Sequence, residues 1–192
     1  MKYIIFLGDG MADYAIKELD GKTPLQAAKT PNMDLLAEKG VNGKLITIPK
    51  GMPAGSDVAN LSALGYNPEE CYTGRGPLEA ASMGVELGKE DIAFRCNLIT
   101  EKGGILKDYS SGHISSEEAA ELIRALQVEF GSPDVEFHNG VSYRHLLVLK
   151  GDKFSEKVES MPPHSAGGAS IAKILVKAKS KEAKKQHISL IR

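Results

Sequence analysis

The chain has 192 residues, with 24 Lys and Arg against 25 Asp and Glu, and a formal charge of −1. That balance argues against a surface built to neutralise a phosphate backbone, so no nucleic-acid partner is expected. At 42% hydrophobic and 26% charged, the composition is that of a globular protein and excludes a disordered one.

The two cysteines, Cys71 and Cys96, lack CxxC spacing and cannot build a disulfide framework, which points to a reducing, cytoplasmic setting. No apolar run approaches the roughly 18 residues of a membrane span, so no membrane partner is expected. The apolar stretch from Tyr3 to Leu7 is too short for an export signal.

Residues 2–7 form a continuous run of β-formers ending in Gly8-Asp9-Gly10, the pattern of a central, buried strand. Thr30 and Pro31 open a helix that stops at Gly40, and a second strand runs from Lys44 to Ile48. The first 50 residues therefore read as a β-α-β unit of a parallel sheet. A Gly- and Pro-rich loop leads to a short helical pattern, Val58–Leu64. The loop from Gly65 to Gly76 places a domain boundary near residue 70.

Beyond it the pattern changes. A short helix, Leu78–Met83, precedes a strand at Ile92–Thr100, and Glu101-Lys102-Gly103-Gly104 turns the chain into Ile105–Tyr109. Ser115 caps an amphipathic helix, with Glu118 completing a capping box and Ala119, Leu122, Ile123 and Leu126 forming its apolar stripe. Two further β-runs follow, Val135–His138 and Tyr143–Lys150. This is the pattern of a small α+β unit. From Gly167 a Lys-rich segment with helical periodicity reads as a solvated face, lysine stems covering an apolar stripe.

Several residues can carry chemistry. Asp9 directly follows the first strand, where open α/β sheets present ligand-binding groups; it is either a hard-metal ligand or a turn Asp bonded to nearby amides. Ser56 opens a helix and is either a cap or a nucleophile at its positive end. A serine hydroxyl needs a base or a metal, so Ser56 and Asp9 make chemical sense together. Arg75, Arg95 and Arg144 suit carboxylate or phosphate, and the last two interrupt apolar runs; an internal ion pair or an outward position would serve equally. His113 and His164 lie in loops, where functional side chains concentrate.

Taken in order, MKYIIFLGDGMAD, GKTPLQAAKTPNMDLLAEKG, GMPAGSDVANLSALGY, YTGRGPLEAAS, FRCNL, SSGHIS and GVSYRHLLVL resemble the archaeal-type, cofactor-independent phosphoglycerate mutases of the alkaline phosphatase superfamily, over about residues 1–165. The resemblance implies an α/β fold in which part of an alkaline-phosphatase-like parallel-sheet core (1–70) carries an α+β insertion domain that holds substrate (71–165). A Lys-rich helical tail (166–192) would return toward the core. It implies Asp9 and Ser56 as metal ligands and Ser56 as the phosphoryl acceptor. Arg75, Arg95, His113, Arg144 and His164 would hold phosphoglycerate. Two divalent ions (Mn²⁺, Mg²⁺, Zn²⁺ or Co²⁺) and no 2,3-bisphosphoglycerate would be required. The implied reaction interconverts 3- and 2-phosphoglycerate through a phosphoserine, in glycolysis and gluconeogenesis. A metal-dependent phosphatase or phosphotransferase of the same superfamily, and a non-catalytic phospho-acid-binding fragment, are the alternatives.

The chain also departs from the family. GDHS- and GHD-like ligand motifs are absent, and the family's Pro-Pro-His-Asp stands here as Pro162-Pro163-His164-Ser165. One Asp and one Ser cannot satisfy two divalent ions. The expectation is a truncated or rearranged member, inactive alone, that self-associates through an unpaired sheet edge.

Overall fold

A computed structural model describes residues 1–155, 157–159 and 161–179. After a 3₁₀ turn at Lys17–Leu19 come helices α1 (Pro24–Ala27), α2 (Pro31–Lys39), α3 (Ser56–Ala63), α4 (Pro68–Cys71) and α5 (Arg75–Ser82). Strands β1 (Ile92–Asn97), β2 (Thr100–Lys102) and β3 (Ile105–Asp108) lead to α6 (Ser116–Phe130), then β4 (Val135–Val141) and β5 (Arg144–Leu149). Strand β6 (Val158–Glu159), a 3₁₀ turn at Pro163–Ser165, helix α7 (Ile171–Ile174) and strand β7 (Lys177–Ala178) follow. The result is a mixed α/β fold.

The main sheet has the order β1-β5-β4, antiparallel throughout. Opposed pairs share a face, so Ala93, Arg95, Asn97, Arg144, Leu146 and Val148 point to one side. Helix α5 covers part of that side, burying Ala80 against Ala93, Leu146 and Val148. The approach is close because Gly76 has no side chain: a Cβ there would overlap the Ala93 carbonyl oxygen. Helix α6 packs along β4 and buries Ala119 and Ile123. Its capping box forms as expected, with Ser115 Oγ accepting from Glu118 N at 3.2 Å. Leu122 of the expected stripe is instead 49% exposed.

A second, smaller core joins Leu106 of the β2–β3 hairpin to Ala166 and Ile174. Backbone bonds from Leu106 N to Ala169 O and from Ile171 N to Gly104 O fix that contact. The Lys-rich helix expected from Gly167 is only one turn long within the described residues. Leu175 has extended ψ (143°), and Lys177 and Ala178 pair with β6 instead, so a strand partner overrides the helical pattern. Residues 180–192 of that expected helix lie outside the described residues.

The two expected parallel strands do not form. Residues 2–7 and 44–48 belong to no ladder, and Tyr3, Phe6 and Ile46 are 86%, 88% and 79% exposed. Every strand pairing among the described residues is antiparallel. An apolar β-run records that burial is wanted; without a neighbouring strand it has nothing to bond.

Candidate functional site

Ser56 is exposed in the first turn of α3, one residue inside the position expected of a cap: Gly55 is the N-cap, in extended conformation. Its hydroxyl caps nothing. Next to it, the Asp57 carboxylate accepts from the Tyr72 hydroxyl at 2.5 Å and pairs with Arg75 Nε at 3.5 Å. Burial works against ionising Asp57, but those two donors and the first amides of α3 outweigh it and hold the carboxyl below its usual range. Burial and the Asp57 charge push the Tyr72 phenol up to about 12.

Arg95 lies within reach of the charges of both Arg75 and Arg144. Burial depresses the pKa of Arg95, Glu79 opposes that at 3.7 Å, and Arg75 and Arg144 depress it further. Arg95 Nε also donates to Asn97 Oδ1 at 3.3 Å. Arg144 is exposed, has no carboxylate partner among the described residues, and stacks 5.6 Å above the Tyr143 ring. The ion pairs thus set Asp57 against Arg75 and Glu79 against Arg95, and leave Arg144 without a carboxylate among the described residues.

The His113 loop reaches the same end of the sheet. Tyr109 meets Tyr143 edge-on at 5.8 Å. In the β4–β5 turn, Ser142 donates its hydroxyl to Ile114 O at 2.7 Å and its amide to Ser116 Oγ at 3.0 Å. Asp108 shapes the loop by accepting from Ser110 and Gly112; backbone and hydroxyl donors hold its carboxyl below the usual range. Ser111, His113 and Ser142 all have positive φ, at 51°, 57° and 54°. Such backbone costs roughly 1–3 kcal/mol per residue and clusters at ligand clamps. A cavity of about 650 Å³ opens between this loop and the first turns of α6, lined by His113, Ser115 and Glu118 among others.

Two candidates stand apart. Asp9 is exposed at a turn, and His164 is exposed on the Pro163–Ser165 turn; neither side chain makes a hydrogen bond or ion pair among the described residues. Nor does any group of three His, Cys, Asp or Glu among the described residues stand ready to hold a metal. Asp9 and Ser56 therefore do not make up a complete two-metal centre among the described residues. Sequence reasoning missed Asp57, Tyr72, Glu79 and Ser142. The one signal available was that Asp57 adjoins Ser56 and Tyr72 stands three residues before Arg75.

Residues 37–192 match the family model described as 2,3-bisphosphoglycerate-independent phosphoglycerate mutase. The chain is 57% identical over 175 residues to a Methanosarcina barkeri protein of that name, covering 91% of this chain and 44% of the relative. It is similar to the solved cofactor-independent phosphoglycerate mutase of Thermoplasma acidophilum, with 30% identity, a TM-score of 0.51, and coverage of 95% and 48%. A solved Pyrococcus horikoshii structure matches at 38% identity and a TM-score of 0.60, over 74% of this chain and 35% of its own. The chain spans less than half the length of these relatives.

Proposed function

Because the chain belongs to the 2,3-bisphosphoglycerate-independent phosphoglycerate mutase family, we propose that it supplies the phosphoryl-accepting serine and the substrate-holding surface of a mutase interconverting 3- and 2-phosphoglycerate. The observation that carries this reading is the group Arg75, Arg95 and Arg144, three guanidiniums with two carboxylate partners and Arg144 unpaired among the described residues. Phosphoglycerate brings a carboxylate and a phosphate, the two anions that a guanidinium fork matches.

Residues 1–70 are the nucleophile-bearing part, 71–165 the substrate-holding part, and 166–192 a return segment. The Ser56 hydroxyl takes the phosphoryl group from one hydroxyl of the substrate while the arginines keep the glycerate bound. After the glycerate reorients, the group returns to the other hydroxyl. His113, in its constrained loop, contacts the anion. Asp9 and Ser56 would be this chain's donors toward a divalent centre, His164 would join the substrate-holding group, and the described residues do not complete that centre. The reading is therefore tested on binding first.

Calorimetric titration of 3-phosphoglycerate into the chain should show saturable binding, weakened at least about tenfold in Arg144→Ala, the loss expected for a charge-assisted hydrogen bond. Absence of binding refutes the reading. A second reading, a phospho-acid binder without turnover, is favoured by the isolation of Asp9. A coupled enolase assay with Mn²⁺, beside Ser56→Ala, separates the two. Turnover lost in the variant supports the mutase, and binding without turnover supports the binder.

A further inference from the structure

Between Ser56 and the arginines lie contacts that a binding role alone leaves unused. One oxygen of Asp57, Oδ2, accepts the Tyr72 hydroxyl and forms an ion pair with Arg75 Nε at 3.5 Å. The Asp57 side chain is only 13% exposed. The Tyr72 bond spans 15 residues of chain, so it ties the first turn of α3 to the segment entering α5. That segment bends at Gly74, whose φ of 123° a residue with a Cβ would adopt only under strain. Arg75 approaches Asp57 through Nε. Its Nη1 and Nη2 make no hydrogen bond among the described residues, and its charge is felt by Arg95.

We propose that Asp57, Tyr72 and Arg75 act as a positioning relay, coupling occupation of the arginine group by a phosphorylated acid to the placement of Ser56; this rests on the phosphoglycerate reading above. An anion drawn to Nη1 and Nη2 orients the whole planar guanidinium, and Nε carries that orientation to Asp57. The Tyr72 hydroxyl keeps Asp57 anchored while Arg75 adjusts. Asp57 is covalently next to Ser56, so the nucleophile's turn moves with it. Ligand can bias that turn only through contacts that differ between the free and bound arrangements, and the free Nη atoms provide one.

A purely structural tie between α3 and the loop would cost stability without altering communication, and amide NMR separates the two. In the ¹⁵N-labelled chain, 3-phosphoglycerate should shift the amides of Ser56–Val58 together with those around Arg95. In Tyr72→Phe, affinity should change by no more than about threefold, while the Ser56–Val58 shifts fall by about half or more. Asp57→Asn should do the same, and Asp57→Glu should restore part of the response; thermal melts identify any variant that fails to fold. Binding without shifts at Ser56–Val58 in the wild-type chain, or full shifts surviving in folded Tyr72→Phe, overturns the relay alone. Absence of binding in the wild-type chain overturns the phosphoglycerate reading and the relay with it.

Discussion

Residues 75–150 and residues 1–50 carry comparable apolar runs, yet only the first set hides them. Leu146 and Val148 are fully buried, while Ile4, Ile5 and Leu45 are 73%, 64% and 62% exposed. The difference lies in how each run finds its partner. Antiparallel β4 and β5 are joined by a tight turn, so each strand meets its neighbour almost at once. A parallel strand must wait for a crossover and a neighbour distant in sequence. Among the described residues the first kind of pairing forms and the second does not.

The sharpest way to break that comparison is to truncate one side chain in each region. Leu146→Ala should cost about 2–5 kcal/mol, the range for emptying a well-packed leucine site. Phe6→Ala should cost less than about 0.5 kcal/mol, as exposed substitutions do. Urea midpoints followed by circular dichroism measure both. A Phe6→Ala cost matching that of Leu146→Ala would mean that the N-terminal run is buried in solution, against a second copy or otherwise.

A smaller loss, about 1–3 kcal/mol, is expected for Gly76→Ala, because the new methyl must push α5 off the Ala93 carbonyl. The same displacement moves Arg75 relative to Arg95, so 3-phosphoglycerate binding should weaken in parallel. Retained affinity at reduced stability would show that the arginines tolerate the shift. Smaller again is Ser115→Ala, at about 1 kcal/mol for a lost N-cap, read from the same urea midpoints.

What was legible in the sequence follows the same division. The capping box of α6, Pro31 at the start of α2 and the Gly103-Gly104 turn are local signals, and each appears where its residues announce it. Helix α5 begins three residues before the expected Leu78, because Gly76 and Pro77 look like loop and only the packing against β1 explains the glycine. Around the candidate site, the arginines could be named one by one from their chemistry. The shared face of Arg95 and Arg144 follows from the β1–β5 register, and the Asp57–Tyr72 bond from the path between α3 and α5. Neither is written in spacing. Strand pairing for residues 2–7 was inferred from apolarity alone, which specifies a need for burial and not the neighbour that satisfies it.

The gentlest expected effect is a slope rather than a loss, and it sits inside the well-packed region. His145, opposite Cys96 across the β1–β5 pair, is 2% exposed. Its Nδ1 accepts the Gly140 amide at 3.2 Å, which assigns the ring proton to Nε2, and Nε2 has no hydrogen-bond partner among the described residues. Burial pushes its pKa below the usual value, with the Ser142 backbone opposing. The unfolded chain therefore takes up a proton near the ordinary value of 6.5, while the native ring resists it. Its contribution is fully present above that pH and declines as pH falls from there toward the folded value. Asp57, Asp91, Asp108 and Glu136 are all held below their ordinary carboxylate values, so their contributions fade only at more acidic pH. His145→Asn keeps an acceptor for the Gly140 amide but removes the titrating ring. Between pH 7.5 and 5.5 the wild-type urea midpoint should fall more steeply than the variant's, whatever their offset at pH 7.5. Parallel slopes would show that His145 is solvated in both states, and that the β4–β5 turn opens more readily than its bonds to Ile114 and Ser116 suggest.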